Sequence, residues 1–367
     1  MHTRSLLAAA VSFVLVAQAQ AAGNQTTTEQ VGDSNIVWVT QAGSDNAISL
    51  HQDGTINRAA ATQSGADLAV SVSQQGDNNS IESYQYGVGS SARLSQQGAA
   101  QYQMIFQQGS EGSQSIEIDQ KGSNSVAYVL QSEAAGSTAV ITQEGDGQTT
   151  TLGQTERVND YTGYQGGSDN YANVTQEGGS RAVTSQTGTD NQIDLHQTAW
   201  PFGASSTITQ AGEYNDARIR QTDAGRYSGG DLSLTQQGRA NAANVEATGA
   251  WSIFDYVQTG TSNQLYANQS GRNTEIAGSS VGDYNQVDID QTGDNNALDL
   301  AQNGNDNVIE AIQGGWWGEG DIGMVSQTGL ANFASITQSV NVEGAATNVA
   351  NIMQSGMNNS ATVVQGR

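Results

Sequence analysis

Gln327-Thr328-Gly329-Leu330-Ala331-Asn332-Phe333-Ala334-Ser335-Ile336-Thr337-Gln338 opens and closes on glutamine, with glycine two residues and asparagine five residues after the first. The same pattern stands at Gln52, Gly54, Asn57, Ala59 and Gln63, and again at Gln354, Gly356, Asn359, Ala361 and Gln365. Stepping by 11 from Gln30 meets Gln41, Gln52, Gln63, Gln74, Gln85, Gln96 and Gln107 without a miss. With small insertions the series runs on through Gln302 and Gln313 to Gln365, giving 30 marks of which 28 are glutamine; Ala247 and Ser280 are the exceptions. Self-similarity at a fixed short period is the signature of a stacked repeat architecture.

Alternate intervals differ. In every second one, starting at Gln30, glycine follows the mark by two residues in 15 of 15 cases (Gly32, Gly54, Gly304, Gly329, Gly356). Asparagine follows by five in 12 of those 15, as at Asn35, Asn57, Asn307, Asn332 and Asn359. All seven steps that are not 11 residues long fall in the other intervals. The unit is therefore one strict arc plus one tolerant arc, about 22–23 residues, repeated 15 times. A generic Gln/Gly-rich tract has no reason to keep such parity.

Before each mark the residues alternate, with Val37 and Val39 ahead of Gln41 and Ile48 and Leu50 ahead of Gln52. Side chains on a strand alternate faces, so the glutamine shares the apolar, inward face. A lone buried amide is costly. Stacked on an identical amide ~4.8 Å away it can form a hydrogen-bonded ladder, as in cross-β assemblies. Each arc reads as a strand of five or six residues closed by a turn, in which Gly supplies positive φ and Asn or Asp tolerates it. The expected fold is all-β: a β-solenoid of about 15 two-arc coils with Gln and Asn ladders. No polar cap of the kind a monomeric solenoid needs flanks the first or last mark, which predicts open edges and a head-to-tail contact that does not close.

Composition narrows the function. The chain has 367 residues, 44 glycines, 42 glutamines, one proline and no cysteine. A zinc-thiolate site, a disulfide framework and a catalytic thiol are excluded. Thirty-six acids against 12 bases give a net charge of −24, which disfavours a nucleic-acid or anionic-membrane partner. Residues 1–21 read as a secretory signal peptide: His2 and Arg4, an apolar run from Leu6 to Val16, then small residues with cleavage expected after Ala19 or Ala21. That run is too short to span a bilayer, so no stable membrane insertion is expected. Residues 22–29 form a short N-terminal segment and 30–367 the repeats.

The strict arc, Gln-x-Gly-x-x-Asn-x-Ala-x-x-x-Gln, resembles the curlin repeat of curli subunits, most fully at the three copies quoted above. The resemblance implies a secreted functional amyloid, an extracellular fibre at the bacterial cell surface used for adhesion and biofilm matrix. It implies self-polymerisation, a second curli subunit as partner, and a secretion pore with accessory proteins. The chain carries many more units than a typical subunit, and 22–29 lacks the glycine-rich export region of the major one. Major and nucleating roles both stay open, as does a monomeric surface adhesin.

Other chemistry finds little footing. His51 and His196 each precede a mark and face outward, on opposite sheets, so they share no metal. Gly278-Ser279-Ser280-Val281-Gly282 matches the nucleophile-elbow pattern, which requires a strand-to-helix turn, and no helical period flanks it. Glu117/Asp119 and Asp288/Asp290 sit outward as solvated pairs. No catalytic, cofactor or metal site is expected, and the chain reads as no enzyme. Two insertions in tolerant arcs are aromatic, with Trp200 and Phe202 in one and Trp316 and Trp317 in the other; these are candidate adhesive loops.

Overall fold

The structure, a computed structural model, describes residues 13–18, 23–109, 112–156, 158–199, 203–223, 230–315, 320–340 and 347–366. They form strands and turns, with no helix among the described residues. The chain divides into two compact units, Met1–Thr149 and Thr150–Arg367.

In the first unit successive strands alternate between two parallel sheets, so each coil gives one strand to each. One sheet runs from Gln25–Asp33 through Ala47–Thr55 to Thr138–Asp146, and the other from Ile36–Ser44 through Arg58–Ala66 to Val126–Ser132. The second unit repeats this plan in nine coils, from Asp160–Ser168 with Tyr171–Gly178 to Val349–Met357 with Ser360–Gly366. Each unit is a two-sheet parallel β-solenoid.

The register is set by the marks. Gln30 pairs with Gln52, Gln52 with Gln74 and Gln74 with Gln96 in one sheet, and Gln41 with Gln63 in the other. In the second unit Gln302 pairs with Gln327, Gln327 with Gln354 and Gln338 with Gln365. A slip by one residue would turn every apolar side chain outward, so this register is strongly specified. The core lies between the sheets: Val37, Val39, Ile48, Leu50, Ile193 and Leu195 are all buried. A further strand, Phe13–Gln18, inside the expected leader, pairs in parallel with Ile36–Gln41 and sets Gln18 opposite Gln41.

Two local features differ from expectation. The strands are longer than five or six residues, most often nine, because the backbone stays paired past the mark through the glycine. The left-handed turn residue is the one before the ladder position: it is Asp or Asn, as expected, at Asp45, Asn78 and Asn295, but other types adopt it too, as at Ser34 (φ 59°), Ile56 (φ 59°), Tyr214 (φ 57°) and Ala331 (φ 54°). Left-handed backbone costs a non-glycine residue ~1–2 kcal/mol, so the neighbouring contacts must hold it there. The asparagine supplies them. Asn57 donates from Nδ2 to the carbonyl of Gly76 at 2.7 Å, and its backbone N–H reaches Asn35 Oδ1 at 3.0 Å.

Glycine two after the mark has a separate cause. Gly54 has φ 128°, and a Cβ there would overlap the carbonyl oxygen of Gly76 in the next coil. Backbone stacks on backbone at this corner, and only glycine leaves room.

Candidate functional site: the amide ladders

Gln52 shows how a rung is built. It accepts from Gln30 Nε2 at 2.7 Å, donates one Nε2 hydrogen to Gln74 Oε1 at 2.7 Å, and turns the other toward the carbonyl of Ile36 on the facing sheet at 3.3 Å. The amide is fully buried and spends both hydrogens inside the core. Alternation brings it inward, and parallel in-register stacking delivers its partner. In the second unit Gln302 donates to Gln327 at 3.2 Å, Gln313 to Gln338 at 2.9 Å, Gln327 to Gln354 at 2.9 Å and Gln338 to Gln365 at 2.9 Å.

The ladder has a direction. In each of these rungs Nε2 of the earlier coil donates to Oε1 of the later one. At the first coil this leaves Gln30 Oε1 buried without a partner among the described residues. At the last, Gln354 Nε2 donates to the carbonyl of Phe333 at 2.9 Å, and its second hydrogen has no partner among the described residues. The turn ladder is polar too: Asn307 Oδ1 accepts the backbone N–H of Asn332, and Asn332 Oδ1 that of Asn359, each at 3.1 Å.

Two interruptions follow different logic. At Ser280 the hydroxyl donates to Gln302 Oε1 at 2.9 Å and meets the Tyr256 hydroxyl at 2.8 Å. Tyr256 is a fully buried inward residue whose ring fills the space a Cβ on Gly278 would enter. Tyr256, Gly278 and Ser280 thus exchange volume between two coils, and the Ser280 hydroxyl supplies Gln302 Oε1 with the donor a glutamine would otherwise provide. Burial pushes the Tyr256 phenol far above its ordinary value, partly offset by the bond to Ser280. This also places the Gly278–Gly282 motif in a strand (Glu275–Val281), not at a strand-to-helix turn. The Tyr-to-Gly-and-Ser exchange carried a signal in the sequence, since both odd residues occupy inward positions of adjacent units. Ala247 makes no such compensation.

Other candidates lie on the outer faces. His51 Nδ1 stands 3.3 Å from Glu29, and His196 Nε2 is 3.2 Å from Thr198 Oγ1. Lys121 lies 2.8 Å from Asp119 and 3.6 Å from Glu144, and Arg93 is 3.8 Å from Glu117. Asp290 accepts from Asn268 at 3.0 Å. Among the described residues no cluster of three His, Asp or Glu side chains is arranged to hold a metal. Trp200, Phe202, Trp316 and Trp317 lie outside the described residues.

These features define a repeat protein whose coils are joined by stacked buried carboxamides. The family described as Curlin associated repeat matches residues 22–54, 43–76 and 115–145. These three stretches of the chain are similar to the curlin repeat. No curated protein matches it.

Proposed function

We propose that the chain is a secreted structural subunit that polymerises end to end into curli-type extracellular fibres at the bacterial surface, serving adhesion and biofilm matrix. One observation carries this reading. Among the described residues, the first coil holds a buried acceptor without a donor, Gln30 Oε1, and the last coil holds a donor with a hydrogen to spare, Gln354 Nε2. The polarity is the one used between coils inside the chain, so a second copy stacked on Gln354 would bring Gln30 as its next rung. The turn ladder offers the same continuation from Asn359 Oδ1 to the N–H of Asn35. Unpaired strand edges template pairing with another chain, and a heterologous contact that does not close yields a filament. Curlin repeats supply the family context. In this role residues 1–21 are the export signal, and the ladder residues from Gln30 to Gln365 are the working parts. The aromatic insertions at Trp200/Phe202 and Trp316/Trp317 contact the surface to which the fibre adheres.

The test is growth of the purified mature chain, residues 22–367, followed by thioflavin fluorescence and electron microscopy. Fibres that lengthen from monomer and are accelerated by seeds are the expected result. A chain that stays monomeric and β-rich at the same concentration would overturn the reading and favour a solitary surface adhesin.

A further inference from the structure

On the outer face of the first unit, three consecutive strands of one sheet carry an aromatic cluster: Ser80–Val88, Tyr102–Gly109 and Val126–Ser132. Tyr102 pairs with Val126 and Met104 with Tyr128, so the two tyrosines sit diagonally across adjacent coils. Their ring centroids are 5.5 Å apart at an interplanar angle of 57°. Glu82, one coil earlier, receives the hydroxyl of Tyr102 on Oε1 at 3.3 Å and that of Tyr84 on Oε2 at 3.1 Å. Tyr128 is 42% exposed, so the pair is open to a reagent from solvent.

We propose that Tyr102 and Tyr128 form an oxidative cross-linking site, joined ring to ring by a peroxidase-class oxidant acting with hydrogen peroxide. Each phenol loses one electron and one proton. Tyr102 sends its proton along the existing hydrogen bond to Glu82 Oε1, and Tyr128 releases its proton to water. The two phenoxyl radicals couple through ring carbons beside the oxygens, forming one carbon–carbon bond. The hydrogens displaced from those carbons return to the oxygens. The net change is two hydrogen atoms removed from the protein and one hydrogen peroxide reduced to two waters.

The surroundings favour this step at Tyr102. Burial, then the charge of Glu82 and its hydrogen bond, push the Tyr102 phenol up to about 12. It is therefore protonated at neutral pH, and removing an electron without the proton would leave a strongly acidic radical cation. A carboxylate already bonded to the hydroxyl takes the proton as the electron leaves. The bond formed would join one coil covalently to the next, in a protein whose sequence contains no cysteine for a disulfide.

The full chain, dilute and unpolymerised, is treated with horseradish peroxidase and hydrogen peroxide. Biphenol fluorescence is read from the monomer band, and the link is located by peptide mass. The expected result is a Tyr102–Tyr128 peptide pair lighter by two hydrogen atoms. Tyr128→Phe, an outward change that leaves the core untouched, should remove most of that signal. Glu82→Gln should slow coupling several-fold while the circular dichroism spectrum stays unchanged. The exposed tyrosines Tyr214, Tyr266 and Tyr284 are internal controls. Links distributed over them, or an intramolecular yield unchanged in Tyr128→Phe, would overturn the assignment. An unchanged rate in Glu82→Gln would remove Glu82 as the proton acceptor.

Discussion

Ala247 lies opposite Gln269 in the stacked register and leaves the side-chain oxygen of that glutamine buried without a donor among the described residues. On its other side is Gln221, which turns one Nε2 hydrogen to the carbonyl of Gly230 at 2.6 Å. A small cavity lined in part by Gln221, Ala247 and Gln269 marks the gap. An unsatisfied buried acceptor costs ~1–3 kcal/mol. Ala247→Gln restores both the volume and the donor, at the expense of ordering one long side chain. The expected gain is ~1–2 kcal/mol, read as a higher urea midpoint at unchanged slope. A midpoint that falls would mean the coil has closed around the alanine and has no room for a rung.

Gly76 and Gly356 share φ 115° but not their surroundings. A Cβ on Gly76 would overlap the carbonyl oxygen of Gly98, whereas on Gly356 it would meet only Asn359 Nδ2 at 3.5 Å. Alanine at 356 should therefore cost the backbone term alone, ~1–2 kcal/mol. Alanine at 76 adds an overpacking term of ~1–3 kcal/mol. Equal losses of stability in the two variants would show that the coils can spread to admit a methyl. In the fibre reading, Gly356→Ala carries a second consequence: it obstructs the next copy, and should slow elongation more than its stability loss explains.

Much of this architecture is legible in the spacing, because parallel in-register stacking places residue type on residue type. Gln52 is a rung for the same reason that it is a mark. The parity of glycine does not reflect crowding at one corner alone, since a Cβ on Gly43 in a tolerant arc would overlap the carbonyl oxygen of Gly65 just as one on Gly54 would overlap that of Gly76. What escaped has physical reasons. The left-handed residue is set by the contacts on either side of it, so Ile56 and Tyr214 adopt that backbone with no signature of their own. The strands run past the ends that the sequence pattern predicts, because a glycine that reads as a turn remains paired with the glycine of the next coil. The acceptor at Gln30 and the donor at Gln354 could not be read at all, because sequence alone does not give the direction of an amide.

The strand Phe13–Gln18 pairs with Ile36–Gln41 over six residues, in the register of the coils that follow. If residues 1–21 are the export signal, this strand covers an edge that processing exposes. A chain that keeps the leader should seed poorly from that end. Mixing leader-bearing chain into growing fibres of the 22–367 form should reduce elongation in proportion to its fraction. Equal growth of both forms would show that the paired leader does not block the edge.

Asp321 replaces asparagine in the ladder of a tolerant turn, between Asn296 and Asn348 of the adjacent coils. Its backbone N–H donates to Asn296 Oδ1 at 2.8 Å, and Asn348 Nδ2 donates to Asp321 Oδ1 at 2.9 Å. Gln313 meets its carbonyl at 3.2 Å from the facing sheet, so the groups bonded to this residue are uncharged amides. The side chain is 1% exposed. In the preceding coil Asn296 uses Nδ2 to donate to the carbonyl of Thr292 at 2.7 Å, a bond an ionised aspartate cannot make. Burial raises the Asp321 carboxyl above its ordinary 3.8, partly offset by the bonds from Asn348. Between the unfolded value and this raised folded value, the folded chain binds more protons than the unfolded one, so stability falls as pH rises through that window. The penalty is complete near neutral pH and absent below 3.8. Asp321→Asn should therefore stabilise the second unit near neutral pH and lose that advantage in acid below 3.8, measured as urea midpoints for both chains at the two conditions. A difference between the chains that does not change with pH would mean the carboxylate has found a compensating donor.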